Sequence, residues 1–149
     1  MDVKNKRVVV TGAASGIGKA LCEAFHQAGA QSVISVDMNL DGAQETADSV
    51  NNIAIQADVG NEKDIIKVIE KADDHVGGTD IFCSNAGIGG VPGFFEVEAS
   101  DWQNIWDVNV QSHIYAAKHV LPQMIERGEG YLVNTSSAAG LLTQLGAAG

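Results

Sequence analysis

The chain has 149 residues, 45% of them apolar, and carries a formal net charge of −10. That length suits one domain with its own core and leaves no room for two of ordinary size. The acidic balance disfavours nucleic-acid backbones and anionic membranes as partners, and no apolar run approaches the roughly 20 residues of a membrane span.

After a polar opening, the run Lys6-Arg7-Val8-Val9-Val10 reads as a buried strand. It feeds Thr11-Gly12-Ala13-Ala14-Ser15-Gly16-Ile17-Gly18 and then the amphipathic stretch Lys19-Ala20-Leu21-Cys22-Glu23-Ala24-Phe25, which reads as a helix. A strand, a glycine turn and a helix start make an anion site, because the first amides of a helix are unpaired and its dipole favours negative charge. In such a turn Gly12 makes the sharp exit, Gly16 lets a pyrophosphate approach, and Gly18 packs helix on strand. Ala28-Gly29-Ala30 closes the helix and residues 31–36 form a second strand. A modest helix over residues 40–50 precedes a third strand at 53–57. Asn61 suits the cap of the next helix, whose Ile65, Val68, Ile69, Ala72 and Val76 follow the spacing of one buried stripe. Gly77-Gly78 ends it, and residues 81–84 form a fourth strand.

Residues 87–99 read as a long Gly- and Pro-containing loop, small and apolar as far as Phe95. Ser100 followed by Gln103 is a capping-box signature. It introduces a long helix from about 101 to 127, which Pro122 is expected to kink. Residues 131–135 give the fifth strand. This alternation predicts right-handed βαβ units. The expected fold class is α/β, a doubly wound Rossmann-type parallel sheet of five strands in the order 3-2-1-4-5, with a helical layer on each face.

In open parallel sheets ligands bind beyond the carboxyl ends of the strands, so the residues just past each strand are the candidate site. Those are Gly12 to Gly18 with Ser15, Gly16 and Ile17, then Asp37, Asp58-Val59, Asn85-Ala86-Gly87 and Ser136-Ser137. Asp37 suits the two hydroxyls of an adenosine ribose, and a 2′-phosphate there meets like charge with no cation among Ser15, Met38 and Asn39. The expected cofactor is therefore NAD rather than NADP; the plainer reading is a solvated turn aspartate. Asp58 suits the adenine amino group, or simply makes a turn with Gly60. Asn85-Ala86-Gly87 lets backbone approach something flat, or is an ordinary turn. Asn109 is a poor helix residue between Val108 and Val110, which signals a local distortion or water site, or an Asn satisfied by a neighbouring loop. Ser136 and Ser137 either cap a turn or hold a substrate oxygen.

Other chemistry is disfavoured. His26, His75, His113 and His119 are scattered and propose no metal site. No Gly-x-Ser-x-Gly elbow follows a strand, and the glycine turn lacks the Gly-Lys-Thr of a P-loop. Trp102 and Trp106, four apart on one helix, suit packing or subunit contact. Cys22 and Cys83 read as small core residues; with the absence of an apolar leader they make the cytoplasm the expected location.

Together, Thr11-Gly12-Ala13-Ala14-Ser15-Gly16-Ile17-Gly18, Asp37, Ala57-Asp58-Val59, Ser84-Asn85-Ala86-Gly87, Val108-Asn109-Val110 and Val133-Asn134-Thr135-Ser136-Ser137 resemble the short-chain dehydrogenase/reductase family. The motifs come in that family's order over nearly the whole chain, and the glycine spacing is similar to its shorter-subunit branch. The resemblance implies an oxidoreductase moving hydride between NAD and an alcohol or ketone, in dimers or tetramers built on the long helices. It implies a catalytic set of Asn, Ser, Tyr and Lys. Asn109 matches the Asn whose backbone carbonyl positions a water in a proton relay; Ser137, with Ser136 as its neighbour, matches the Ser that polarises the substrate oxygen. The family's Tyr-x-x-x-Lys pair has no counterpart, since Tyr115 and Tyr131 lack a lysine four residues on. A phenol without a nearby ammonium is a weak base near neutral pH. We therefore expect residues 1–149 to be one NAD(P)-binding domain, incomplete at its C-terminus, with an uncovered edge on the fifth strand and no turnover of its own. The alternatives are a non-catalytic dinucleotide-binding fragment or sensor and, less in keeping with Asn85-Ala86-Gly87 and Ser136-Ser137, a Rossmann-like methyltransferase.

Overall fold

The computed structural model describes residues 2–89 and 97–138. Five short parallel strands form one sheet in the order β3-β2-β1-β4-β5. They are β1 (Arg7–Thr11), β2 (Ser32–Asp37), β3 (Ala54–Gln56), β4 (Ile81–Ser84) and β5 (Tyr131–Asn134). In register, Val9 pairs with Ile34 on one side and Phe82 on the other, and Cys83 pairs with Val133. The order expected from the alternation of elements is the order found.

Side chains of a strand alternate between faces, and β1 uses both. Val8 and Val10 join Val33, Ile81, Cys22 and Cys83 in one buried cluster beneath helix α1 (Gly16–Gln27). Val9 joins Ile34, Val36 and Phe82 in the other, with the stripe Ile65, Val68, Ile69 and Ala72 of α3 (Glu62–Val76). Helix α2 (Leu40–Ser49) packs against β2 and β3. Burying a central strand on both faces is why its sequence is an unbroken valine run. Both cysteines are free and buried, and burial pushes the Cys83 thiol up to about 12.

Local signals set the helix ends. Asn61 caps α3 by accepting from the Lys63 amide at 3.0 Å, and Gly77 ends it in the left-handed region at φ +79°. Two expectations are corrected. Helix α4 (Ala99–Trp106) is capped by Glu98, whose amide donates to Asp101 Oδ2 at 3.0 Å, and not by Ser100 with Gln103. The chain enters the helix before Ser100, so that hydroxyl already lies in the first turn. The long helix is also interrupted earlier than Pro122: a π-helical turn spans Asp107–Gln111, and α5 (Ser112–Arg127) contains Pro122. Of the loop expected at 87–99, residues 90–96 lie outside the described residues, as do 139–149.

The amino end of the sheet is fastened by charge. Arg7 donates to Asp80 through Nε at 2.8 Å and through a terminal nitrogen at 2.6 Å, and the Asp80 carboxylate also accepts from the Arg7 amide at 3.0 Å. The Arg7 guanidinium holds the Asp80 carboxyl below the usual carboxylate range. This staple leaves the carboxyl end of the strands clear.

Candidate dinucleotide crevice

A crevice of about 380 Å³ opens across the carboxyl ends of all five strands. Strand order dictates its wall: Asp58 and Val59 follow β3, Asp37 ends β2, the glycine turn follows β1, Asn85 to Gly87 follow β4 and Thr135 follows β5. Gly12, Ser15, Gly16, Ile17, Gly18, Asp37, Asp58, Val59, Asn85, Ala86 and Gly87, the residues expected to touch a cofactor, all line it.

The glycine turn is close-packed where it must be and open where a ligand would come. Gly12 has φ +71°, and a Cβ there would lie 2.9 Å from Ala86 Cα. A Cβ on Gly18 would lie 1.9 Å from the Gly12 carbonyl oxygen, so only glycine lets α1 sit on the turn. In front of Gly16 a Cβ would meet nothing within 4 Å. Ser15 is the N-cap of α1, yet its side chain makes no capping hydrogen bond, and the first turn of α1 holds no acidic residue. The helix start thus keeps its anion-receptive character.

Asp37 is more than a solvated turn residue. Its Oδ2 accepts from the Ala14 amide and its Oδ1 from the Asn39 amide, each at 2.9 Å. The carboxylate therefore ties the glycine turn to the end of β2, while each oxygen keeps further acceptor capacity. Asp58 makes the turn, its Oδ1 accepting from the Gly60 amide at 2.9 Å, and it also lines the crevice.

Thr11 is the residue that sequence reasoning missed as an individual. It is 2% exposed. Its hydroxyl donates to the Cys83 carbonyl at 3.2 Å and accepts from the amides of Asn85 and Ala86 at 2.9 and 3.1 Å. The signal available was a hydroxyl at the last position of a buried strand, where an unpaired oxygen is costly. Met38, Ile88, Val108 and Thr135 also line the crevice without having been singled out.

Asn109 lies in the π-helical turn, and its carboxamide clasps the backbone of Ile88: Oδ1 accepts from the Ile88 amide and Nδ2 donates to the Ile88 carbonyl, both at 2.9 Å. Distortion and satisfaction by a neighbouring segment, posed as alternatives, occur together. Asn109 does not itself line the crevice; Ile88, which it holds, does. Ser136 and Ser137 are exposed just beyond Thr135 and are not part of the wall. Tyr115 packs against the core under α5 and Tyr131 sits at the amino end of β5, so neither reaches the crevice.

The profile described as short chain dehydrogenase matches residues 6–148. The chain belongs to the short-chain dehydrogenase family. A crystal structure of a short-chain type dehydrogenase/reductase from Mycobacterium marinum superposes with a TM-score of 0.90 at 28% identity, covering 98% of this chain and 61% of that one. Among curated relatives, an uncharacterized oxidoreductase of Staphylococcus aureus (strain MRSA252) is 32% identical over 139 residues, 91% of this chain and 60% of that protein. The 1-deoxy-11-beta-hydroxypentalenate dehydrogenase of Streptomyces exfoliatus is 33% identical, covering 99% of this chain and 56% of its own length. Glucose 1-dehydrogenase 2 of Bacillus subtilis is 32% identical over 91% of this chain and 55% of its own. The chain spans a little over half the length of these curated relatives. Among its described residues no helix is long and apolar enough to cross a membrane.

Proposed function

We propose that this short-chain dehydrogenase chain forms one dinucleotide-binding unit over residues 1–149, takes NAD in the crevice, and belongs to an oxidoreductase acting on an alcohol or ketone in the cytoplasm. The observation that carries the reading is the glycine turn, whose clearances fit a pyrophosphate: tight at Gly12 and Gly18, open at Gly16, with Ser15 uncommitted as a cap. Bound there, NAD supplies the hydride-accepting ring. Asp37 accepts from the adenosine ribose hydroxyls, and its charge repels a 2′-phosphate, since no cationic residue lines the crevice among the described residues. Asp58 and Val59 border the adenine; Asn85, Ala86 and Gly87 bring backbone close to the ring end. Ser137 orients the substrate oxygen, and the Asn109 backbone carbonyl holds a water that passes a proton.

A base for that proton is the missing piece. Both tyrosines lie away from the crevice and neither has a lysine four residues on, so the chain by itself binds the dinucleotide without turning over. The binding-only alternative shares every contact above and differs only here. Assembly into dimers or tetramers uses the exposed apolar face of α5.

Calorimetric titration with NADH and NADPH tests the reading. NADH should bind at least about tenfold more tightly, a difference of about 1.4 kcal/mol. Asp37→Arg should reduce or reverse that preference, with Asp37→Asn as the control that removes charge while retaining an acceptor for backbone. Equal affinities in wild type and Asp37→Arg would overturn the assignment of NAD, and alcohol-dependent NADH formation by this chain would overturn the assignment of no turnover.

A further inference from the structure

Thr135 lines the crevice, yet none of the roles above uses its hydroxyl. Its amide donates to the Ser84 carbonyl at 3.0 Å, continuing the β4–β5 ladder one residue beyond β5. Its Oγ1 donates to Asn85 Oδ1 at 2.9 Å. The other end of that carboxamide, Nδ2, donates to the Thr11 carbonyl at 3.0 Å. The β1–β4 pairing ends at Val10 with Cys83, so the Asn85 side chain supplies the next rung to β1. The same Nδ2 lies 3.0 Å from where a Gly12 Cβ would be and 2.8 Å from a Gly18 Cβ. The amide group is thus wedged beneath the glycine turn.

A carboxamide has one donating and one accepting end. The Thr11 carbonyl demands the donor, which leaves Oδ1 turned toward β5, and Thr135 is the side chain that engages it there. We infer that Thr135 is a positioning residue for the dinucleotide crevice: its hydroxyl locks the Asn85 carboxamide in the orientation that supports the glycine turn, and so couples the segment that leaves β5 toward Ser137 to the cofactor cradle. The inference rests on the proposed function and adds to it a residue two positions before Ser137. Three strands meet through one side chain, with Thr11 on β1, Asn85 after β4 and Thr135 after β5. Loss of the hydroxyl leaves Oδ1 without that donor and frees the carboxamide to rotate, loosening the turn without emptying any core space.

The test compares Thr135→Val, which keeps the β-branched shape, with Thr135→Ser, which keeps the hydroxyl. Thr135 is exposed, so both variants should fold with thermal midpoints close to wild type. Thr135→Val should bind NADH three- to tenfold more weakly, and Thr135→Ser should return to within twofold of wild type. In ligand-free NMR spectra of Thr135→Val the Asn85 side-chain amide protons should exchange faster with solvent, which loss of a merely structural contact elsewhere would not produce. Wild-type binding with an unchanged Thr135→Val affinity overturns this inference alone, as does failure of Thr135→Ser to restore binding. A wild-type chain that ignores NADH overturns the dinucleotide reading, and this inference with it.

Discussion

Gly18 and Gly16 show how differently two glycines of one turn are constrained. At Gly18 the limit is contact, since an added methyl would sit 1.9 Å from the Gly12 carbonyl oxygen. At Gly16 space is open and the limit is backbone, φ +55°. Gly18→Ala should therefore cost about 3 kcal/mol of stability, because helix and turn must separate. Gly16→Ala should cost about 1–2 kcal/mol, the strain of a left-handed L-residue. Urea denaturation followed by circular dichroism gives both values, and a Gly18→Ala midpoint equal to that of Gly16→Ala would contradict the clash. Single residues were only partly legible in the sequence. The jobs assigned to Gly12 and Gly18 follow from their place between strand and helix, and the contacts agree. Thr11 and Thr135 escaped notice because their partners lie more than 70 and exactly 50 positions away, at Asn85 in both cases. Nothing in a local pattern encodes such a meeting.

At the scale of elements, periodicity carried most of the fold. The valine run of β1, the stripe of α3 and the Asn61 and Gly77 ends of α3 all declare themselves within a few residues, where local geometry dominates. The start of α4 was harder, because Ser100 and Glu98 both offer cap chemistry and the chain path selects one. The break in the long helix was signalled by Asn109 and not by Pro122, since a side chain that pairs with the distant Ile88 backbone competes with helical bonding. The staple at the other end of the sheet yields a stability test. Asp80 titrates below its unfolded value, near 3.9. Its contribution is therefore full above about pH 4 and is lost as pH falls through the lowered folded value. Asp80→Ala should cost about 2–3 kcal/mol at pH 7, because it strands the Arg7 guanidinium. The gap between wild-type and variant denaturation midpoints should be widest at pH 7 and shrink as pH is lowered below about 4; a gap constant with pH would refute the role of the ion pair.

For the molecule as a whole, the outer face of α5 is the feature left over by the fold. Ile114, Leu121 and Ile125 are 52%, 39% and 74% exposed, a stripe too apolar to suit open water. Self-association through that face is the expected outcome, with light scattering giving two or four times the chain mass. Ile125→Glu should shift the population to single chains with little change in thermal midpoint; a wild-type preparation that stays monomeric at high concentration would discount the surface. The crevice has a different consequence. Among the described residues its only ionisable wall groups are the acids Asp37 and Asp58, on a chain whose net charge is −10. On the proposed reading, a doubly anionic dinucleotide would approach against the far field and be held only within the last few ångströms, by amides and dipole. Capture is left to short-range fit rather than steering, so added electrolyte should hasten arrival instead of slowing it.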